Sequence, residues 1–139
     1  MRNNAIVDTG PIVAFFDRSE RYHQWSCEQF KQLDSPLITS EPVITEAMFL
    51  LRGFPAAQEK LLTLVSKRLL LVEFSIQEEI DALLAVWKRY RNVPASLADV
   101  SLIRIAESAD LPICTLDSDF SVYRKESGGI LKVVHPQFS

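Results

Sequence analysis

The stretch NAIVDTGPIVAFFD, residues 4–17, changes character at Asp8. Before it, Ala5, Ile6 and Val7 form a short apolar run suited to a buried strand. After it, Thr9 can cap a helix and Pro11 suits that helix's first turn. The same alternation recurs along the chain. SPLITS (35–40) reads as a second strand, and Ser40 can cap the helix through EPVITEAMFLLRG (41–53). Gly53 and Pro55 break that helix, and AAQEKLLTLVSK (56–67) resumes it. LLLVEF (69–74) reads as a third strand, and LPICTLD (111–117) and ILKVV (130–134) as the last two. Strands separated by helices predict an α/β fold: a three-layer α/β/α sandwich with a mainly parallel five-stranded sheet.

Three helices have recognisable faces. RYHQWSCEQFKQL (21–33) places Tyr22, Trp25 and Phe30 at spacings compatible with one side. IQEEIDALLAVWKRYR (76–91) carries Ile76, Ile80, Leu83, Leu84 and Trp87 as a predicted core stripe. VPASLADVSLIRIAESAD (93–110) is the third. The length of 139 residues predicts a single domain spanning 1–139, enough to bury roughly two-thirds of its unfolded surface. No apolar run approaches a membrane span and no leading secretory pattern is present, so the expected compartment is cytoplasmic. Cys27 and Cys114 lack the spacing of a zinc site or disulfide framework and are expected as buried thiols. A net charge of −3 shows no global nucleic-acid signature, yet a local basic rim can still surround an acidic site.

The acids carry the functional signal. In open parallel sheets, ligands gather beyond the carboxyl ends of the strands. Asp8 ends the first strand and Asp117 the fourth; Glu46 lies about one turn into the helix after the second, and Asp99 in the first turn of SLADVSLIRIAE. Unneutralised in a partly desolvated cleft, four carboxylates repel by several kcal/mol, roughly, at intermediate dielectric. A hard divalent cation with oxygen ligands removes that conflict, and the absence of paired His or Cys favours Mg²⁺ or Mn²⁺ over zinc. Each acid also has a structural explanation. Ser96 and Asp99 fit a capping box, Asp8 can shape a strand-to-helix turn, Glu46 can be a solvated helix residue, and Asp117 with Asp119 can build an Asx turn. The ordered set favours a site over four separate coincidences.

IVDTGPIVAFFD, ITEAMFLL, YRNVPASLADVSLIRIAE and TLDSDF resemble, in order and spacing, the acidic motifs of PIN-domain ribonucleases, above all the VapC-type toxins of type II toxin–antitoxin pairs. The resemblance covers nearly the whole chain. It implies a metal-dependent endoribonuclease with Asp8, Glu46, Asp99 and Asp117 as its catalytic quartet, and with 5′-phosphate and 3′-hydroxyl products. It also implies a homodimer and a small antitoxin partner. PIN domains serve in other RNA-processing settings too, so a non-toxin nuclease and a catalytically silent PIN-like binding module stand as alternatives.

Asp8, Asp99 and Asp117 are the expected metal ligands, with Glu46 ligating through water or orienting the nucleophile. Thr9 and Thr115 are candidates to hold water or phosphate, and Asp119 to support the site or cap a short helix through FSVYRK (120–125). Arg52, Lys88, Arg89 and Arg91, with Arg124 and Lys125, are the candidate RNA-binding rim, although basic residues ending a helix also meet its dipole. His23 reads as structural, and Trp87 and Tyr90 as core or dimer contacts. The apolar segments AMFLL (47–51) and EKLLTLV (59–65) exceed what a small monomer buries, and are expected to form a dimer face and an antitoxin groove.

Overall fold

In the computed structural model, which describes residues 4–123 and 128–137, the chain runs β1 (Ile6–Val7), α1 (Thr9–Phe16), α2 (His23–Gln32), β2 (Leu37–Thr39), α3 (Glu41–Leu50), α4 (Pro55–Ser66), β3 (Leu70–Val72), α5 (Ile76–Tyr90), α6 (Leu97–Ala109), β4 (Ile113–Cys114) and β5 (Val133–Val134). The strands form one sheet in the order β3-β2-β1-β4-β5, and every pairing is parallel. Ile6 lies opposite both Ile38 and Ile113, and Cys114 opposite Val134. The order reverses between β1 and β4; α1 packs against α2 and α3, α5 against α6, and α3 also reaches α6. The reversal also leaves a crevice beyond the carboxyl ends of β1 and β4, where Asp8 and Asp117 stand.

The central strands β1 and β4 are wholly buried: Ala5, Ile6, Val7, Ile113 and Cys114 have no exposed surface. The main core joins them to Val43, Ala47, Leu51, Leu61, Leu102 and Ile103. A second cluster on Ala5, Leu33 and Cys114 receives Trp25 and Phe30 of the expected aromatic face of α2, while Tyr22 stands at the N-cap position before the helix. Cys114 is buried, whereas Cys27 is only half-buried.

Several local expectations change. The cap of α1 is Asp8, whose backbone is extended and whose carboxylate accepts from the Thr9 amide at 2.7 Å; Thr9 is the first helical residue. Two good capping residues adjoin there, and only backbone geometry decides between them. Ser40 does cap α3, its hydroxyl accepting from the Val43 amide. β4 stops at Cys114, so Asp117 sits three residues past the strand. It caps a single 3₁₀ turn, Ser118–Ser121, that replaces the expected FSVYRK helix, and Asp119 lies inside that turn. Arg124 and Lys125 lie outside the described residues.

The α5 stripe is divided. Leu83 and Val86 are buried, while Ile76, Ile80, Leu84 and Trp87 are 40–49 % exposed. Apolar spacing marks a face that needs cover, and the helix uses only its inner edge against α6. Among the described residues, no element fully covers its outer stripe.

Candidate active site

Four elements bring the four acids together. Asp8, at the end of β1, is buried: Oδ1 accepts from the Thr9 amide at 2.7 Å and Oδ2 from the Thr115 hydroxyl at 2.7 Å. Thr115, fully buried just past β4, also accepts the Asp117 amide at 2.9 Å. Asp117 Oδ1 takes the Asp119 amide at 2.9 Å, and the turn places the half-buried carboxylate beside Asp8. Asp99 and Ser96 make the capping box: the Ser96 amide donates to Asp99 Oδ2 at 3.0 Å, and the Asp99 amide to the Ser96 hydroxyl at 3.1 Å. Glu46, exposed on α3, accepts the Thr9 hydroxyl at 3.0 Å. Both threonine hydroxyls thus donate to carboxylates of other elements.

Beneath this layer, the buried hydroxyls of Ser40 and Ser101 lie 2.7 Å apart and tie the start of α3 to α6. Thr39 donates to the Val7 carbonyl at 2.8 Å, joining β2 to the residue before Asp8.

The electrostatics follow the burial. Desolvation pushes the Asp8 carboxyl up to about 6; the donors Thr115 and Thr9 oppose the rise, and the charges of Asp99 and Asp117 add to it. Asp99 is also raised, first by desolvation and then by the charges of Asp117 and Glu46. Burial pushes the neighbouring Cys114 thiol up to about 12, with Asp8 contributing, so it is no anionic ligand near neutral pH. Among the described residues, no ion pair reaches Asp8, Glu46, Asp99 or Asp117. The carboxylates interact through space rather than at ligating distance: no three His, Cys, Asp or Glu side chains among the described residues stand close enough to hold an ion.

The basic candidates divide. Tyr90, ending α5, packs on the buried Tyr123 at 5.0 Å between ring centroids. The Tyr123 hydroxyl is held protonated by burial and by the charges of Asp99, Asp117 and Asp119, so the end of α5 adjoins the acids. Lys88 and Arg91 are exposed there, while Arg89 pairs with Glu107 at 2.8 Å and lies over Tyr90. Arg52 stands past the far end of α3, about 15 Å along the helix from its cap, stacked on Phe49 and donating to its carbonyl. It is not brought to the acids. His23 lies on α2 with Nδ1 at 2.7 Å from the Ala14 carbonyl, a structural contact. Sequence reasoning passed over Tyr123 and His135; the latter follows β5, and the rule about strand ends, extended to that strand, points to it.

A model of the PIN domain matches residues 5–126. The chain belongs to the PIN-domain family. Members of this family are nucleases that generally use divalent metal ions. No curated protein matches the sequence. Two solved structures share the PIN fold. VapC20 of Mycobacterium tuberculosis, a sarcin–ricin loop-cleaving toxin, superposes with a TM-score of 0.70 at 16 % identity, covering 85 % of this chain and 93 % of its own. A chain of a toxin–antitoxin complex from Klebsiella pneumoniae does so with a TM-score of 0.68 at 18 % identity, covering 97 % and 99 %. Among the described residues of this PIN domain, no helix is long and apolar enough to cross a membrane.

The raised Asp8 carboxyl makes metal-free stability fall with pH. The folded chain binds this proton more tightly than the unfolded chain, so its contribution is complete below pH ~4 and disappears as pH rises through about 6. Thermal unfolding of metal-free protein across this window is expected to show a loss on the order of 3 kcal/mol, absent in Asp8→Asn. A wild-type profile parallel to that of the variant contradicts the assignment.

Proposed function

We propose that this chain is a Mg²⁺- or Mn²⁺-dependent endoribonuclease and the toxin of a toxin–antitoxin pair. The observation that carries the reading is a cluster of four carboxylates from four elements, each fixed by a hydrogen-bond donor and none ion-paired with a basic side chain among the described residues. The donor chemistry is all oxygen and strongly anionic, which fits a hard divalent cation. Asp8, Asp99 and Asp117 are the residues to hold it. When bound, such an ion lowers the pKa of water and stabilises charge on a phosphoryl group. Thr115 and the Thr9 amide orient Asp8, Ser96 orients Asp99, and the 3₁₀ turn orients Asp117. Glu46, exposed and held by the Thr9 hydroxyl, would orient a nucleophilic water. Lys88 and Arg91, exposed at the end of α5, offer charge to an RNA backbone. The products are a 5′-phosphate and a 3′-hydroxyl.

The toxin reading draws support from the two structural relatives and from two apolar surfaces. A cavity of about 490 Å³ between α1, α2 and α4 is lined by Phe15, Phe16, Phe30, Leu61, Leu64 and Leu69, and suits an apolar segment of an antitoxin. The outer stripe of α5, together with the exposed Phe49 and Leu50 of α3, suits a second copy. Light scattering at micromolar protein is expected to give a dimer mass, and Trp87→Glu a monomer. A monomer mass for the wild type refutes the dimer.

The activity is tested with purified protein and RNA. Cleavage is expected with Mg²⁺ or Mn²⁺, to stop in EDTA, and to fall ~100-fold or more in Asp8→Asn, Asp99→Asn and Asp117→Asn. Asparagine retains an acceptor at each cap, so these variants remove charge while the turns persist. Asp119→Ala, at an exposed position, is expected to lose far less than Asp117→Asn. Cleavage undiminished in EDTA, or in Asp8→Asn and Asp99→Asn, contradicts the proposal.

A further inference from the structure

His135 follows β5 at the same sheet edge as the acids, and the residue is 8 % exposed. The Gln137 amide donates to Nδ1 at 3.0 Å. An amide N–H only donates, so the ring proton belongs on Nε2, which lies 3.2 Å from the Leu116 carbonyl and donates to it. That carbonyl belongs to the peptide unit whose N–H is the Asp117 amide, and this amide donates to the Thr115 hydroxyl at 2.9 Å. The two ends of one peptide unit are therefore gripped from opposite sides. A trans peptide is planar, so fixing its carbonyl and its N–H fixes the plane from which the Asp117 side chain departs. Leu116 itself is seated on α1: a Cβ added to Gly10 would come within 3.1 Å of the Leu116 Cβ. One residue earlier, the Thr115 amide donates to the Val134 carbonyl at 3.0 Å, so the segment leaves the sheet with a set direction.

We propose that His135 is a positioning residue for the carboxylate site, holding the Leu116–Asp117 peptide so that Asp117 faces Asp8 and Asp99. The inference rests on the metal-dependent nuclease reading and adds to it a residue outside the acidic motifs. His135 touches neither ion nor substrate; it acts through Asp117. A glutamine reaches the place of Nε2 and can donate to Leu116, whereas an asparagine reaches only the place of Nδ1.

The test measures Mn²⁺ affinity of the full chain by calorimetry in wild type, His135→Asn, His135→Gln, Asp117→Asn and the double variant His135→Asn/Asp117→Asn. His135→Asn is expected to weaken Mn²⁺ binding about tenfold or more, as loss of a group that orients a ligand does. His135→Gln should restore it to within about threefold. Combined with Asp117→Asn, His135→Asn should add little, because both changes act on one ligand. In RNA cleavage, His135→Asn should lower kcat with KM unchanged. An unaltered affinity in His135→Asn, or an equal further loss in the Asp117→Asn background, overturns the inference while leaving the nuclease reading intact. A wild type that binds no Mn²⁺ at millimolar concentration overturns both. A second measurement needs no variant or metal: ¹⁵N spectra of the imidazole should show the Nε2–H tautomer, and an Nδ1–H tautomer refutes the grip on Leu116.

Discussion

Carboxylates gathered in a partly desolvated cleft repel one another, and the rest of this molecule is organised around holding them there. Asp8 bears most of the conflict, being buried, flanked by Asp99 and Asp117, and close to Cys114. The parallel sheet makes the gathering unavoidable, since its reversal between β1 and β4 aims both strand ends at one crevice. Hydroxyls then restrain what the backbone brings together: Thr115 grips Asp8, Thr9 grips Glu46, and the buried Ser40–Ser101 contact fixes α3 against α6. None of these donors neutralises charge. The site is stable enough to fold, and it remains anionic.

The structural and functional explanations of the acids prove compatible. Asp8 caps α1, Asp99 completes the capping box of α6, and Asp117 caps the 3₁₀ turn. The starts of α1 and α6 thereby direct the positive ends of their backbone dipoles toward the cluster, which softens the repulsion. The caps also anchor particular oxygens. Asp99 accepts its cap bond on Oδ2 and Asp117 on Oδ1, leaving the second oxygen of each without a donor among the described residues. A capping aspartate is thus a carboxylate already oriented, at the cost of crowding that a proton or a cation relieves.

Much of this was legible in the residues. Short apolar runs alternating with capped helices predicted the sheet, and the strand-end rule pointed to the crevice beside Asp8 and Asp117. What stayed hidden depends on three-dimensional partners. Thr9 and Asp8 are both good caps, and backbone angles selected Asp8. The α5 period marked a face without showing that, of its stripe, only Leu83 reaches the core, joined there by Val86. Arg89 and Arg52 are alike in sequence to any basic rim, but one is paired with Glu107 and the other stands at the wrong end of α3. The strand-end rule, extended to β5, points to the position of His135, but its role shows only in Leu116 and Gln137 beside it.

The account stands on one claim, that the carboxylates of Asp8, Asp99 and Asp117 are held together to receive a divalent cation. An anomalous difference map from crystals of the protein grown with Mn²⁺ tests it most directly. The account predicts a strong peak within ligating distance of carboxylate oxygens of Asp8 and at least one of Asp99 and Asp117. Manganese found elsewhere, with this cleft holding only water, would contradict it.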